Sequence, residues 1–124
     1  MEDEVSNQQF RDILKFRENQ IIYRGLYLGW GKWWSLTKRI VSIEPDNLGV
    51  YELEDSFHKP VYYGSGKIKT RLLDHLNRKD CPMAKNYRLE LFNTEMECRT
   101  RENALLEEYQ RNHEKLPIYN KKIQ

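Results

Sequence analysis

Residues 49–66, which read GVYELEDSFHKPVYYGSG, constrain the fold more than any other stretch of the chain. The first half alternates, so that Tyr51 and Leu53 share one face of a strand and their neighbours share the other. A polar link closed by Pro60 leads to VYYG, whose aromatic and β-branched residues also favour a strand. The pattern predicts two paired strands, each carrying a glycine and a tyrosine.

The chain that follows supplies two helices and a third strand. The Gly-Ser-Gly sequence at 64–66 is predicted to form a turn that leads into a helix with three leucines facing the core. The sequence YRLELF alternates as a half-buried strand does. Thr94 followed by Glu97 is a capping box, so a second helix should begin near Glu95 and run to about Lys115. The order ββαβα predicts an α+β fold, with a three-stranded antiparallel sheet flanked by helices.

The first third of the sequence looks like an addition to this unit, so the predicted division is an N-terminal extension at 1–47 and a domain at 48–124. Residues 4–18 carry apolar side chains at helical spacing. Residues 21–34 combine aromatic and β-branched residues with glycines, which predicts a hairpin or irregular strands. The segment SLTKRIVSI predicts a short helix capped by Ser35.

Composition limits the class of protein. A chain of 124 residues with 39% hydrophobic residues is long enough for one domain with a modest core. Cys81 and Cys98 have no metal-ligand spacing and suit free thiols in a reducing cytoplasm, although a disulfide between them is the alternative. No apolar run approaches the roughly 18 residues of a membrane span. We therefore expect a soluble, cytoplasmic protein without a membrane partner.

One carboxylate and one basic helix stand out as candidate functional groups. On a helical wheel Glu102 falls on the apolar stripe of the last helix, where a carboxylate is costly unless it is paired or binds a metal. A buried ion pair with an arginine is the structural alternative. Arg71 and His75 share a face of the middle helix, and the cations around them are Lys67, Lys69, Arg78 and Lys79. These cations form either a solvated basic face or a phosphate site.

Together with Tyr51 and Tyr62, which in isolation would indicate only cross-strand packing, these residues resemble the GIY-YIG nuclease family. The two name-giving motifs appear as GVY at 49–51 and YYG at 62–64, with ten residues between them. The family's helical arginine corresponds to Arg71, seven residues past the second motif, and a histidine follows one turn later.

The resemblance extends to the end of the chain. The family's acidic helix corresponds to TEMECRTRENALL, in which Glu102 takes the acidic position, and its terminal asparagine corresponds to Asn120. Two features depart from the family pattern. Tyr63 replaces the usual isoleucine or valine, and the longer gap before Asn120 leaves Glu108 as a rival for the acidic role.

The resemblance implies a metal-dependent DNA endonuclease, a hydrolase of phosphodiester bonds. It implies one Mg²⁺ or Mn²⁺ held by Glu102, with Arg71 neutralising charge on the phosphate. Tyr51 would be the base or would orient the water, its pKa lowered by Arg71 and the metal. Tyr62 would support this site, and His75 would assist proton transfer or bind a phosphate. Asn120 would brace the active-site helix, with Gly49 and Gly64 as structural support.

The substrate is less constrained by the sequence. A restriction-type endonuclease and a structure-selective nuclease both fit. The N-terminal segment contains three tryptophans and four cations, namely Trp30, Trp33, Trp34, Arg24, Lys32, Lys38 and Arg39. These side chains could stack on bases and contact phosphates of DNA. Alternatively, the tryptophans belong to the core or form a homodimer contact. The alternatives from other classes are a catalytically silent nucleic-acid-binding or protein-interaction module and a purely structural α+β domain.

Overall fold

The computed structural model of the chain describes residues 7–15 and 29–123. Residues 7–15 are helical (α1). The other elements are β1 (Trp34–Ser35), α2 (Lys38–Val41), β2 (Leu48–Glu54), β3 (Pro60–Lys67), α3 (Ile68–Arg78), β4 (Asn86–Leu91) and α4 (Glu95–His113). None of the helices in these two ranges has the length and apolar character needed to cross a membrane.

The strands form one antiparallel sheet in the order β1-β4-β2-β3, which confirms the predicted α+β class. The sheet has four strands, however, where the sequence predicts three. The additional strand is two residues long, and its Trp34 pairs with Tyr87 of β4. Two residues are too few for an alternating pattern to be visible in the sequence. Part of the segment predicted as an extension therefore belongs to the sheet.

Helices cover both faces of the sheet. On one face, Tyr51 and Leu53 of β2 pack with residues of α1, α2 and α3, including Ile13, Ile40 and Leu72. The opposite face packs against α4, and its cluster contains Val50, Tyr63, Cys98, Leu105, Leu106 and Tyr109. This division follows the alternation predicted for β2, because neighbouring side chains of a strand point to opposite faces.

Local structure departs from the sequence predictions at two places. The cap of α2 is Thr37 rather than Ser35, and its hydroxyl accepts a hydrogen bond from the Ile40 amide at 3.3 Å. The Gly-Ser-Gly sequence continues β3 instead of forming a turn, and of its two glycines only Gly66 has a positive φ, 130°. Of the predicted hairpin, residues 21–28 lie outside the described residues.

The start of α4 is as predicted. The Thr94 hydroxyl accepts from the Glu97 amide at 3.1 Å, and the Glu97 carboxylate accepts from the Thr94 amide at 3.1 Å. The helix ends at His113, slightly before the predicted Lys115, because Glu114 adopts a left-handed conformation with φ 61° and its amide bonds back to Gln110. A residue in this conformation commonly ends a helix.

Candidate active site

A cleft lies where the two helical layers meet around one edge of the sheet. Strand β3 forms this edge of the sheet, so α3 on one face and α4 on the other can both reach past it. The cleft has a volume of about 270 Å³. Its lining is mostly polar and consists of Tyr51, Tyr62, Ser65, Arg71, Asp74, His75, Arg78, Asp80, Arg99 and Glu102. All five residues predicted to be catalytic line this one cleft.

The predicted tyrosines lie side by side because the strand register leaves room for them. Tyr51 of β2 pairs with Gly64 of β3, and a Cβ at Gly64 would overlap the Tyr51 ring and hydroxyl. The same Cβ would lie 2.7 Å from the ring of Tyr62. The two rings stack with centroids 6.0 Å apart. Gly64 therefore lets the Tyr51 side chain extend across the strand to the cleft.

A second predicted glycine positions the helix that carries the cleft's basic residues. A Cβ at Gly49 would overlap the backbone carbonyl of Glu90 and lie 3.1 Å from the side chain of Ile68. Ile68 is the first residue of α3 and is fully buried. The absence of a side chain at Gly49 lets the start of α3 pack directly on the sheet.

His75 connects Tyr51 to an acid that the sequence reasoning did not identify. The Tyr51 hydroxyl lies 2.7 Å from His75 Nε2, and His75 Nδ1 lies 2.9 Å from an Asp80 carboxylate oxygen. The thiol of Cys81 is 3.8 Å from the same Nδ1. The only sequence signal for Asp80 is its place just beyond the end of the helix that carries His75.

Burial dominates the electrostatics of the tyrosines. Tyr51 is 1% exposed. Burial raises its pKa well above 10.0, the nearby Tyr62 raises it further, and the charge of Arg71 lowers it only in part. Burial and Glu102 likewise raise the pKa of Tyr62. Without a metal the Tyr51 pKa is therefore raised and not lowered: Arg71 acts in the expected direction, but desolvation of the phenolate outweighs it.

The burial of the tyrosines predicts how their ionisation and the stability of the fold depend on alkaline pH. We expect Tyr51, Tyr62 and Tyr63, whose pKa values are all raised by burial, to ionise only at pH values above 10.0. In the unfolded chain they lose protons first, so stability should fall as pH rises above 10.0. Tyrosinate absorbance should rise together with loss of circular dichroism, and the chain in guanidinium serves as the control. Complete tyrosine ionisation while the fold persists would contradict this burial.

Arg71 projects over β3 from the first turns of α3. Gly66 of β3 has φ 130°, and a Cβ there would lie 2.8 Å from Nε of Arg71. The guanidinium is exposed on the cleft, with Arg78 and Arg99 also in the lining. Three arginines in one small cleft are suited to a phosphate group, since each presents a planar set of donors.

Glu102 enters the same cleft from α4, on the opposite face of the sheet. Burial raises the pKa of its carboxyl above 4.5, while a hydrogen bond with Ser65 and the charges of Arg71 and Arg99 lower it less strongly. The rival Glu108 is exposed and lines a separate cavity of about 370 Å³ with Trp30 and Arg88.

The carboxylate of Glu102 fits a divalent cation on physical grounds. Its neighbours do not offset the cost of its partial burial, so a cation beside it would stabilise the charged form. With Glu102 as the one carboxylate ligand, an open, polar cleft that Asp74 and Asp80 also line leaves positions for waters and a phosphate, which is the arrangement that Mg²⁺ favours. The donors present are therefore compatible with magnesium or manganese.

Asn120 braces the edge strand rather than the active-site helix. Its amide nitrogen donates to the Tyr63 carbonyl and its amide oxygen accepts from the Tyr63 amide, both at 2.9 Å. The adjacent Tyr119 amide donates to the Val61 carbonyl at 3.0 Å. The prediction that Asn120 braces the active-site helix is therefore corrected: its side chain braces β3, because the C-terminal segment runs along that strand. The C-terminal segment also borders a second cavity of about 490 Å³, which shares Tyr62, His75, Asp80 and Glu102 with the cleft.

The predicted nucleic-acid-binding cations are divided between two places. Arg78 lines the cleft, and Lys79 follows it as the left-handed cap of α3. Lys67 and Lys69 lie near Asp46 instead. Burial raises the pKa of Asp46, but hydrogen bonds from Thr70 and the two lysine charges outweigh it and leave the pKa below 3.8.

The N-terminal tryptophans are largely structural. Trp34 is 4% exposed and belongs to the core. The rings of Trp30 and Trp33 hold the Arg88 guanidinium, whose carbon lies 4.4 and 4.7 Å from their centroids. Arg88 also pairs with Glu52 at 2.7 Å. Of the cations predicted beside these rings, Arg24 lies outside the described residues and Arg39 lies over the ring of Phe10.

Comparison with known proteins agrees with the fold. Residues 30–112 match a family described as a domain of unknown function, DUF7508. No curated protein matches the sequence at a significant level. Solved structures that match are of the GIY-YIG N-terminal endonuclease domain of UvrC from Thermotoga maritima, bound to its catalytic divalent cation.

The magnesium-bound form of that domain is 24% identical, with a TM-score of 0.55, and the match covers 65% of this chain and 91% of the other. A tyrosine-to-phenylalanine point mutant is 24% identical with a TM-score of 0.54, over 66% and 91%. The protein thus belongs to the DUF7508 family, and its fold is GIY-YIG-like.

Proposed function

We propose that the cleft hydrolyses a phosphodiester bond of DNA with the help of one bound Mg²⁺ or Mn²⁺. The observation that carries this proposal is the meeting of two phenols, a guanidinium, an imidazole and a carboxylate in one cleft, from strands and helices on both sides of the sheet. The solved domains of the same fold are endonucleases bound to a catalytic divalent cation, which supports the same chemistry here.

The arginine donors of the cleft support a phosphate ligand. Arg71, Arg78 and Arg99 line it, and their donors can bind the non-bridging oxygens of one phosphodiester. Arg71 would bind the oxygens that gain negative charge as the attacking water approaches phosphorus. A cation bound at Glu102 would supply further stabilisation of the phosphate and of the leaving oxygen.

The tyrosine pair would orient the attacking water and accept its proton. Tyr51, with Tyr62 stacked beside it, would orient the water through its hydroxyl. As the water oxygen bonds to phosphorus, a water proton passes to the Tyr51 oxygen and the Tyr51 proton passes to His75 Nε2, which lies 2.7 Å away. The bond from phosphorus to the leaving oxygen breaks, and that oxygen takes a proton from solvent. A phenol that remains neutral before the reaction agrees with the raised pKa of Tyr51.

We also propose a restriction-type or structure-selective endonuclease acting in the cytoplasm, where the free thiols Cys81 and Cys98 would stay reduced. Lys67, Lys69, Arg78 and Lys79 would contact flanking phosphates. A dimer through the N-terminal segment stays a prediction, although the burial of Trp34 removes that ring from such a contact.

The direct experiment incubates purified protein with supercoiled plasmid in Mg²⁺, in Mn²⁺ and in EDTA. We expect nicked or linear plasmid with either metal and none with EDTA, and strongly reduced cleavage by Tyr51→Phe. Retention of DNA on the protein without cleavage would indicate a silent binding module. No affinity for DNA even at low salt, where phosphate contacts are strongest, would leave only a structural role.

A further inference from the structure

A continuous chain of polar contacts runs from the buried centre of the cleft to its exposed side. It begins at the Tyr51 hydroxyl, passes through both ring nitrogens of His75, and ends at the carboxylate of Asp80, with separations of 2.7 and 2.9 Å. The His75 side chain is 11% exposed and that of Asp80 is 43% exposed. We infer that Asp80 is a positioning residue that fixes the tautomer of His75 so that Nε2 accepts the proton of Tyr51. This inference deepens the proposed function and rests on it.

The assignment follows from what each group can donate. An ionised carboxylate only accepts hydrogen bonds, so the hydrogen shared by Asp80 and His75 must lie on Nδ1. In a neutral imidazole the other nitrogen then carries a lone pair. The only hydrogen available to the short contact between Nε2 and Tyr51 is that of the Tyr51 hydroxyl. Asp80 thus determines, through the ring, that Tyr51 donates toward His75.

The backbone explains why this acid is close to the ring. Lys79 caps α3 in the left-handed conformation, with φ 54°, and its amide bonds to the His75 carbonyl at 2.9 Å. This conformation ends the helix and turns the chain back along its last turn. The next residue, Asp80, therefore returns beside His75, at a spacing that a continued helix would not bring to the same face.

The neighbouring thiol does not replace the carboxylate. Burial first, and then Asp80, raise the pKa of Cys81 to about 12, so the thiol stays neutral at ordinary pH. A neutral thiol is a weak acceptor compared with a carboxylate. The three side chains do bring nitrogen, oxygen and sulfur donors within 4.8 Å of one another, and such donors also occur in zinc sites. A transition-metal site is therefore the competing explanation that the experiment must separate.

During the reaction the same arrangement stabilises the charge that His75 acquires. When Nε2 takes the Tyr51 proton, the ring becomes an imidazolium whose Nδ1–H already faces the Asp80 carboxylate. The carboxylate keeps its charge and exchanges no proton in this step. This is the role of the acid in hydrolytic triads, where it orients the imidazole and stabilises its charged form.

The experiment compares Asp80→Asn, Asp80→Glu and Asp74→Asn in the complete chain, the last as a control that removes a negative charge from the same cleft. We expect Asp80→Asn to lower kcat for DNA cleavage by roughly 10- to 100-fold with little change in KM, as for other partners that orient a functional histidine. Asp80→Glu should retain part of the rate that Asp80→Asn loses, and Asp74→Asn should lower kcat much less than Asp80→Asn does. Equal losses for Asp80→Asn and Asp74→Asn would overturn the assignment.

A second measurement needs neither DNA nor activity. Nitrogen–proton NMR of the imidazole, with His75→Gln to identify its signals among the three histidines, reports the tautomer in EDTA. We expect the proton on Nδ1 in the unaltered chain and a shift in the tautomer balance in Asp80→Asn. A proton on Nε2 in the unaltered chain would overturn the inference, whereas absence of cleavage with the expected tautomer would reject only the proposed function.

The competing metal site is tested with Co²⁺. Absorption from a cobalt–sulfur bond that disappears in both Cys81→Ser and Asp80→Asn would identify Asp80 as a metal ligand and overturn its assignment as a positioning residue. No such absorption, together with full cleavage by Cys81→Ser, is the result that the inference expects.

Discussion

The Glu102→Gln variant is expected to lose DNA cleavage by at least about 1000-fold and to unfold at a higher temperature than the unaltered chain. The loss of activity follows because the amide replaces a carboxylate that lines the cleft with Arg71 and that fits a divalent cation. The gain in stability follows from the cost of the partly buried charge, which the neutral amide does not carry.

The direction of the stability effect follows from the pKa shift. Burial raises the pKa of Glu102 above 4.5, so between 4.5 and the folded value the folded state binds more protons than the unfolded state. The stability of the unaltered chain therefore falls as pH rises through this interval. At neutral pH the destabilisation by the partly buried Glu102 charge is complete. The advantage of the Gln variant should be largest at neutral pH and should shrink as pH approaches 4.5.

Thermal unfolding in EDTA at neutral pH and near pH 4.5 checks this expectation. Glu107→Gln is the matched control, because Glu107 lies on the same helix but is exposed. Adding Mg²⁺ should stabilise the unaltered chain and have little effect on Glu102→Gln, since only the former retains the ligand. Retained cleavage would show that Glu102 is not the metal ligand, and a lower unfolding temperature at neutral pH would show that its buried charge does not destabilise the fold.

The Arg71→Ala variant should lose roughly 100- to 1000-fold in cleavage rate at saturating DNA, as is typical when a preorganised donor to transition-state charge is removed. Arg71→Lys should recover only part of the rate, because an ammonium cannot reproduce the planar pair of donors. The side chain is exposed on the cleft, so the truncation should have little effect on folding.

Single-turnover cleavage and DNA binding must be measured separately for this variant. Arg78→Ala is the control, since Arg78 lines the same cleft from the same helix and should weaken binding more than it slows the bond-breaking step. If Arg71→Ala weakened binding while leaving the single-turnover rate intact, Arg71 would be a substrate-binding residue without a special role in the transition state.

The sequence predicts well those parts of the site that depend on local patterns. The alternation around Tyr51 indicates its face of the sheet, and the capping box defines the start of the helix that carries Glu102. Helical spacing places Arg71 and His75 on one face. Convergence of these groups is predicted only through the family resemblance, since nothing local in the sequence specifies that β3 is an edge strand.

The parts that the sequence does not predict depend on long-range pairing or on a single backbone angle. Strand β1 exists because Trp34 pairs with Tyr87, far along the chain. Asp80 joins the site through the left-handed conformation of Lys79, and lysine carries no strong preference for that conformation. Asn120 hydrogen-bonds to Tyr63 of β3 instead of bracing the active-site helix, because no local pattern in the sequence reveals that the terminal segment follows β3.

The position of the cleft at the border of two helical layers has a consequence for its rigidity. Arg71 and Glu102 belong to helices whose packing against the sheet is independent, one helix on each face. Partial detachment of either helix would separate guanidinium from carboxylate while leaving most of the secondary structure intact. Catalytic competence should therefore be lost in mild denaturant before helical content declines, which makes turnover a more sensitive reporter of local opening than spectroscopy.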